Sequence, residues 1–215
     1  MQDLHDIWTA IKLGGVTILP LSLLAIIALA IMLEKAFIFW RYARLPLELL
    51  RLAETYGFAW DELEKRLYSL NERHYFRRFF EVLISNRNRP AWWTESRAAD
   101  EAQLIETSLS RRLWVLETIV TAAPLLGLMG TIGGMMDAFK IIGGSGIVNP
   151  TGVTGGVAQA LIATAIGLLI ALISLFGFNY FSCVQSQTMD EMERLGTRLI
   201  DHIRMDQQGE VHEAA

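Results

Sequence analysis

Two stretches decide the fold: Ala122–Met135, AAPLLGLMGTIGGM, and Ala160–Leu168, ALIATAIGL. Neither contains a charged residue, and both carry small residues three or four positions apart. The whole chain is 52% hydrophobic and 20% charged, and its charges are bunched rather than evenly spread. A helix needs about 20 mostly apolar residues to cross the hydrocarbon core of a bilayer. Each stretch lies inside a run of this length, which predicts an integral membrane protein.

Working outward from these stretches gives three apolar runs, at residues 16–40, 113–142 and 153–183. The predicted fold class is therefore an all-α integral membrane protein with three transmembrane helices. The first run resembles a signal peptide at Ala28–Ala30, where the small residues are typical of a cleavage site. However, the run continues past that point and no net positive charge precedes it, so we expect it to be retained as a membrane helix.

The distribution of basic residues predicts the orientation. Residues 41–112 hold 13 of the 19 lysines and arginines, whereas residues 143–152 hold none. Because Lys and Arg accumulate in cytoplasmic loops, 41–112 and the tail 184–215 are predicted to be cytoplasmic. The N-terminus, residues 1–15, and the loop 143–152 are then periplasmic. Glu34 and Lys35, near the inner end of the first run, are expected to reach the lipid headgroups by snorkelling.

Helical periodicity continues outside the membrane. The segment 1–15 has apolar residues at helical spacing and is predicted to form an amphipathic helix on the outer leaflet. The loop 41–112 is predicted to contain three short helices and a fourth that is capped by Thr94. With no breaker before Trp114, this helix should continue to Ile142, roughly 70 Å at 1.5 Å per residue. The third run should also continue inward, on the apolar stripe Met189, Met192, Leu195, Leu199 and Ile203.

Small residues form one stripe along each of the last two runs. The second run has Ala123, Gly127, Thr131, Gly134 and Ala138, and the third has Gly156, Ala160, Thr164, Gly167, Ala171 and Ser174. Small residues let membrane helices approach closely. The stripes therefore have two interpretations: they pack against each other within one chain, or they line a lumen that holds another helix.

Polar and ionisable residues within the runs limit the chemistry. Thr131 and Thr164 lie near mid-helix, accompanied by Gln159, Ser174 and Asn179, and Pro124 removes one backbone hydrogen bond. No Asp, Glu, His, Lys or Arg lies at mid-membrane depth. A chain that carried protons alone is expected to have such a group. If protons move here, the titrating group belongs to a partner.

Other function classes lack their motifs. No phosphate loop, HExxH pattern or nucleophile elbow is present, and one cysteine is too few for a cysteine cluster. We therefore expect no enzymatic activity, no metal site and no cofactor. A net charge of −4 without a basic, aromatic-rich tract argues against nucleic-acid binding. The predicted surroundings are lipid and other membrane helices.

At this point the residues resemble a known family. The run Ala122–Met135 followed by Phe139 is similar to the second-span signature of the MotA/TolQ/ExbB proton-channel family. Ala160–Leu168 and Asn179–Phe181 agree with its third span. With three spans rather than four, the chain is most similar to the ExbB-type members, and next to TolQ.

The resemblance implies a function. Five copies would form a ring in the bacterial inner membrane around an ExbD-like single-span subunit, whose carboxylate would carry the proton. Movement of that subunit would be passed to a TonB-like protein that energises outer-membrane transport. Thr131 and Thr164 match the family's lumen-facing threonines, and Ser174 and Gln159 are further candidates for the proton pathway. Pro124, Gly127, Gly134, Gly156, Ala160, Gly167 and Ala171 are the candidates for helix packing or for lining the lumen.

Two residues depart from the family pattern. Gln159 stands where many ExbB-like chains carry a glutamate, and a neutral amide cannot gate by protonation. Ile173 stands where many carry a proline, so the third span should be straighter. Two alternatives stay open: a TolQ-like subunit of the envelope-integrity system, and a passive membrane scaffold without ion flux.

Overall fold

The computed structural model of the chain describes residues 17–44, 59–144 and 150–213. The regular elements within these ranges are helical, in agreement with the predicted all-α class. The predicted amphipathic N-terminus lies outside the described residues, as do residues 145–149 of the predicted periplasmic loop. The elements in chain order are α1 (Ile18–Ile38), a π-helical turn (Phe39–Ala43), α2 (Trp60–Tyr68), α3 (Tyr75–Ser85), α4 (Ala91–Ser110), α5 (Leu113–Gly144) and α6 (Pro150–Glu213).

The chain divides into two compact units. The first unit comprises Met1–Leu33 and Arg112–Tyr180, and the second comprises Glu34–Arg111 and Phe181–Ala215. Helices α1 and α6 each contribute a segment to both units. Continuity of α6 to Glu213 confirms that the helix of the third apolar run extends well beyond the run itself.

The first unit is a bundle of apolar helices. Met32 of α1 lies against Gly177 of α6, and Thr17 lies against Gly130 of α5. The outward-facing side chains are large and apolar, with Leu125 and Leu161 each 65% exposed. A continuous apolar surface of this kind is unfavourable in water and suits the interior of a bilayer.

The second unit has an apolar core of its own. Helices α2 and α3 are two of the short helices predicted within the loop 41–112, and each buries one apolar face. The stripe predicted on α6 is buried as well, apart from half-buried Met189. The core contains Leu63, Leu67, Phe76, Phe79, Phe80, Leu83, Ile105, Leu109, Met192, Leu195, Leu199 and Ile203.

The predicted unbroken helix from Thr94 to Ile142 is wrong, because α4 ends at Ser110 and α5 begins at Leu113. Between them Arg111 is extended and Arg112 has a φ of 68°, in the left-handed region. A non-glycine residue there costs roughly 1–2 kcal/mol. Neither arginine is a sequence breaker, so local propensity does not account for the interruption.

A tertiary contact holds the end of α4. The Lys35 ammonium donates a 2.6 Å hydrogen bond to the carbonyl oxygen of Leu109, in the last turn of α4. This carbonyl has no donor within its own helix, and a cation at a helix C-terminus is favoured by the helix dipole. Lys35 is only 1% exposed. The expectation that Lys35 snorkels outward is therefore wrong, since α4 supplies the hydrogen-bond acceptor instead of lipid headgroups.

Burial also sets the charge of one histidine in the second unit. His74 precedes α3, and its Nε2 lies 3.2 Å from the carbonyl oxygen of Arg44, just after the π-helical turn. Burial lowers the pKa of His74, and the charge of nearby Arg41 lowers it further, although the backbone hydrogen bond opposes this. The ring is therefore neutral at pH 7, and it ties the end of the first membrane helix to α3.

The start of α4 differs from the prediction as well. Thr94 does not cap the helix, since α4 begins three residues earlier at Ala91 after Pro90. Proline precedes the helix readily because it has no N–H to satisfy. The Thr94 side chain is buried, and its hydroxyl donates a 2.8 Å hydrogen bond to the carbonyl oxygen of Asn86. Thr94 thus holds the turn after α3 against α4.

We expect Thr94→Val to lower the Tm of the full chain by about 2–6 °C in detergent. Valine keeps the shape of the buried side chain but cannot donate to the carbonyl oxygen of Asn86, which is left with the N–H of Arg89 as its donor, and this loss costs about 1–2 kcal/mol. The control is Thr107→Val on the same helix, where the hydroxyl is exposed and bonds only to its own helix at Gln103. Equal Tm values for the two variants would contradict the role assigned to Thr94.

Candidate functional site

The candidate site lies in the first unit, where α5 and α6 pack through glycines. A Cβ added to Gly167 would lie 2.6 Å from the carbonyl oxygen of Ala123 and 3.1 Å from the Cα of Gly127. A Cβ on Gly127 would lie 3.0 Å from the carbonyl oxygen of Ala163. These are backbone atoms that cannot swing away. The two helices therefore approach this closely only because glycine has no side chain.

The contact continues along both helices. A Cβ on Gly134 would lie 2.9 Å from the carbonyl oxygen of Gly156, and one on Gly156 would lie 2.9 Å from the Cβ of Ala138. Ala160 is 2% exposed and lies against Gly134 in the same contact. This geometry corresponds to the first interpretation of the stripes, in which they pack against each other within one chain. The glycines lie between two helices of the same chain and allow them to approach closely.

Thr164 forms a hydrogen bond inside this contact. Its hydroxyl donates to the carbonyl oxygen of Gly127 on α5, across 3.1 Å. The bond is possible because Gly127 also lies against the backbone of Thr164. A hydroxyl has two lone pairs besides its proton. Thr164 therefore remains able to accept a hydrogen bond from water or from a protonated carboxyl group while it donates to Gly127.

Thr131 has a different partner. Its hydroxyl donates to the carbonyl oxygen of Leu128 on its own helix, across 2.6 Å. The side chain is half-buried. This is a common arrangement for a threonine in an apolar helix, and it too leaves the oxygen free to accept. The two threonines lie on the small-residue stripes of different helices, but only Thr164 joins the helices by a hydrogen bond.

The other predicted polar residues occupy two environments. Ser174 is fully buried, and its hydroxyl has no hydrogen-bond partner among the described residues. Leaving a hydroxyl unpaired in an apolar interior is unfavourable, which suggests that water or another chain supplies a partner. Gln159 is half-buried beside Ala160. Ala171 is 8% exposed and belongs to the same buried face as Ser174.

Pro124 is accommodated within α5, which continues through it from Leu113 to Gly144. Proline lacks the N–H that would bond to the carbonyl of Val120. The carbonyl oxygen of Ala123, the residue before the proline, faces Gly167 of α6. The proline thus lies next to a residue whose backbone packs directly against α6.

The sequence-based stripes missed two buried contributors, Gly130 of α5 and Ala163 of α6. Gly130 is off the predicted stripe, yet a Cβ there would lie 2.6 Å from the Cβ of Ala163 and 2.7 Å from the hydroxyl of Thr17. Gly130 therefore lies where α5 meets α6 and also the residue that precedes α1. The sequence could have indicated this contact through the spacing of Gly127, Gly130 and Gly134. Three glycines within about two helical turns give a wider small-residue face than a single stripe does.

The ionisable residues of α5, Glu117, Asp137 and Lys140, lie toward its two ends. Asp137 and Lys140 form an exposed ion pair of 3.1 Å near one end of α5. No group of His, Cys, Asp and Glu able to hold a metal ion occurs among the described residues. The described centre of the α5–α6 contact thus offers hydroxyl and carbonyl oxygens and no carboxylate.

The fold and the site together define a class of protein. Three helical stretches, Ile18–Ala43, Ala91–Lys140 and Val153–Gln207, are long and apolar enough to cross a membrane by length and composition. With glycine-packed helices and buried hydroxyls, the chain is an α-helical integral membrane protein. Residues 70–194 match the MotA/TolQ/ExbB proton channel family, and the chain belongs to that family.

Individual relatives agree with the family. The chain is 34% identical over 177 residues to an ExbB-like biopolymer transport protein of Synechocystis sp., covering 78% of this chain and 81% of the relative. It is 44% identical over 80 residues to the biopolymer transport protein ExbB of Aquifex aeolicus, covering 37% and 53%. It is also 40% identical over 75 residues to the Tol-Pal system protein TolQ of Haemophilus influenzae, covering 35% and 33%. The chain is thus a proton-channel subunit of the ExbB/TolQ type.

Proposed function

We propose that the chain is the ExbB-like subunit of an inner-membrane motor that uses the proton-motive force to energise outer-membrane transport. The observation that carries the proposal is the α5–α6 contact, in which the Thr164 hydroxyl is held at Gly127 while neither helix carries an ionisable residue at this depth. Such a site can solvate a proton carrier but cannot itself be one. The carrier is then a carboxylate on a partner helix.

The proposal includes the assembly and the topology. Five copies surround an ExbD-like single-span subunit, and a TonB-like protein receives the movement. The N-terminus and the loop 143–152 face the periplasm, while residues 41–112 and 184–215 face the cytoplasm, as the basic residues indicate. Thr131, Thr164, Ser174 and Gln159 are the proposed polar contacts for the proton path.

The test is proton flux into liposomes that contain the chain with its single-span partner. We expect flux when both subunits are present and at most background flux with either alone, because the carboxylate and the hydroxyls come from different chains. Native mass spectrometry of the same preparation should show five copies of this chain with the partner. Assembly without flux in the complete complex would support the passive scaffold instead.

The match to the Haemophilus influenzae TolQ supports one alternative, a TolQ-like subunit. Deletion of the gene separates the two systems in the native host. Failed uptake of iron complexes with normal detergent resistance supports the ExbB-like function. Detergent sensitivity and chaining of cells with normal uptake support the TolQ-like one.

A further inference from the structure

The end of α1 and the π-helical turn that follows it have one buried face. This face consists of Lys35, Phe39 and Ala43, which are spaced four residues apart. The ring of Phe39 stacks on that of Phe181 of α6, at a centroid distance of 5.9 Å and an interplanar angle of 9°. All four residues belong to the second unit, so the turn is fixed within that unit by its buried side.

The opposite face of the turn is exposed and holds Phe37, Trp40, Arg41 and Arg44. These positions follow the i, i+3, i+4, i+7 spacing that places side chains on one side of a helix. Phe37 is 56% exposed and Trp40 is 71% exposed. Along the chain this face changes from an apolar ring, through an indole, to two guanidinium groups. The same order of groups suits the passage from the hydrocarbon core of a bilayer to its headgroups.

The two arginines of this face are available to bind an anion. The side chains of Arg41 and Arg44 form no hydrogen bond or ion pair within the part of the chain that the structure describes. Arg44 is positioned by its backbone, since its carbonyl oxygen lies 3.2 Å from Nε2 of buried His74. No acidic residue occurs from Lys35 to Arg44. The acid that precedes this stretch, half-buried Glu34, is about 10 Å from Arg41 along the helix.

The chemistry of this face fits an anionic phospholipid. The segment Ile18–Ala43 is long and apolar enough to cross a membrane, so the exposed face lies where that segment ends. Tryptophan is enriched at this level of a bilayer, and guanidinium groups bind phosphate oxygens by paired hydrogen bonds. Basic residues at the cytoplasmic end of a membrane helix attract the anionic lipids of that leaflet. A zwitterionic headgroup carries an ammonium group of its own and therefore competes less well for two arginines.

We propose that Phe37, Trp40, Arg41 and Arg44 form a binding site for an anionic phospholipid of the cytoplasmic leaflet. The phosphate lies between the two guanidinium groups, and the acyl chains lie along the exposed rings of Phe37 and Trp40. The proposal rests on the cytoplasmic position of residues 41–112 in the proposed function. The bound lipid holds the turn at the membrane surface, where His74 joins the turn to the start of α3.

Native mass spectrometry of the full complex, in mild detergent with equal amounts of phosphatidylglycerol and phosphatidylcholine, tests the site. The parent should retain about fivefold more phosphatidylglycerol. Arg41→Gln with Arg44→Gln should abolish this preference, whereas Arg97→Gln with Arg198→Gln should keep it. The control pair removes the same charge from exposed positions on α4 and α6, and Arg97 also lies beside a tryptophan, Trp93. Excess inorganic phosphate should not displace the lipid, because it has no acyl chains.

Photo-cross-linking gives a second readout. With p-benzoylphenylalanine in place of Trp40, irradiation of native membranes should join the chain to phospholipid. A product with protein and none with lipid overturns the site and assigns the face to a partner helix. Equal retention of the two lipids by the parent, or an unchanged preference in Arg41→Gln with Arg44→Gln, also overturns it.

Proton flux through the complete complex, measured on the same preparations, separates this site from the motor. Normal flux without a lipid preference overturns the lipid site and leaves the motor intact. A lipid preference that disappears only in Arg41→Gln with Arg44→Gln, in a complex that never conducts protons, supports the lipid site and overturns the motor.

Discussion

The substitution Gly167→Ala is expected to lower the Tm of the detergent-solubilised chain by about 5–10 °C and to reduce its yield from membranes. The added Cβ would lie 2.6 Å from the carbonyl oxygen of Ala123 and 3.1 Å from the Cα of Gly127. Both are backbone atoms, so α5 and α6 must separate. Overpacking of this kind costs about 1–3 kcal/mol or more, and separation would also lengthen the Thr164 hydrogen bond.

The matched control is Gly133→Ala on α5. A Cβ on Gly133 meets no atom within 4 Å, so the same methyl group enters open space. Alanine is a better helix former than glycine by about 1 kcal/mol, and this variant should be as stable as the parent or slightly more stable. Similar losses in both variants would show that the close approach at Gly167 does not limit stability.

The second large effect is expected on transport rather than on stability. Thr164→Val should reduce proton flux through the complete complex at least tenfold while leaving the ring assembled. The hydroxyl donates to Gly127 and keeps lone pairs for the carrier or for water, whereas valine offers neither. Hydrogen bonds between membrane helices contribute about 0.6 kcal/mol on average, so the Tm should change by less than about 3 °C.

Thr164→Ser is the conservative control, because it keeps the hydroxyl and should retain most of the flux. Thr121→Val tests whether loss of a hydroxyl elsewhere on α5 also reduces the proton flux. Thr121 is exposed, and its hydroxyl donates to the carbonyl oxygen of Thr118 on its own helix. Full flux in Thr164→Val, with normal flux in both controls, would remove Thr164 from the proton path. A loss of assembly in Thr164→Val would instead assign it to helix packing.

Much of the fold could be predicted from the sequence because its determinants are local. The three apolar runs predicted helices at almost the observed positions, since helix length in a bilayer follows directly from its thickness. The stripe from Met192 to Ile203 was confirmed for a similar reason, because a 3.6-residue period places those side chains on one face. The pairing of Asp137 with Lys140 likewise follows from their spacing of three residues.

The candidate site could be predicted only in part from the sequence. Spacing identified the glycines of α5 and α6, but not whether they face a neighbouring helix of the same chain or a lumen. Thr131 and Thr164 look equivalent in sequence, yet one bonds to its own helix and the other crosses to Gly127. The acceptor of a threonine depends on which helix lies beside it, and no local pattern contains that information.

The sequence by itself determined the helical class, the three membrane-length helices, the small-residue faces and the absence of an ionisable residue at mid-span. Tertiary structure alone decided the break at Arg111–Arg112, the burial of Lys35 and the role of Thr94. Each of these depends on a hydrogen bond between residues distant in sequence or across a turn, such as Lys35 with Leu109, 74 positions apart. Free backbone carbonyl groups at the C-terminal end of a helix accept a hydrogen bond from whichever donor the packing places beside them. That donor is set by the arrangement of the helices rather than by the neighbouring residues in the sequence.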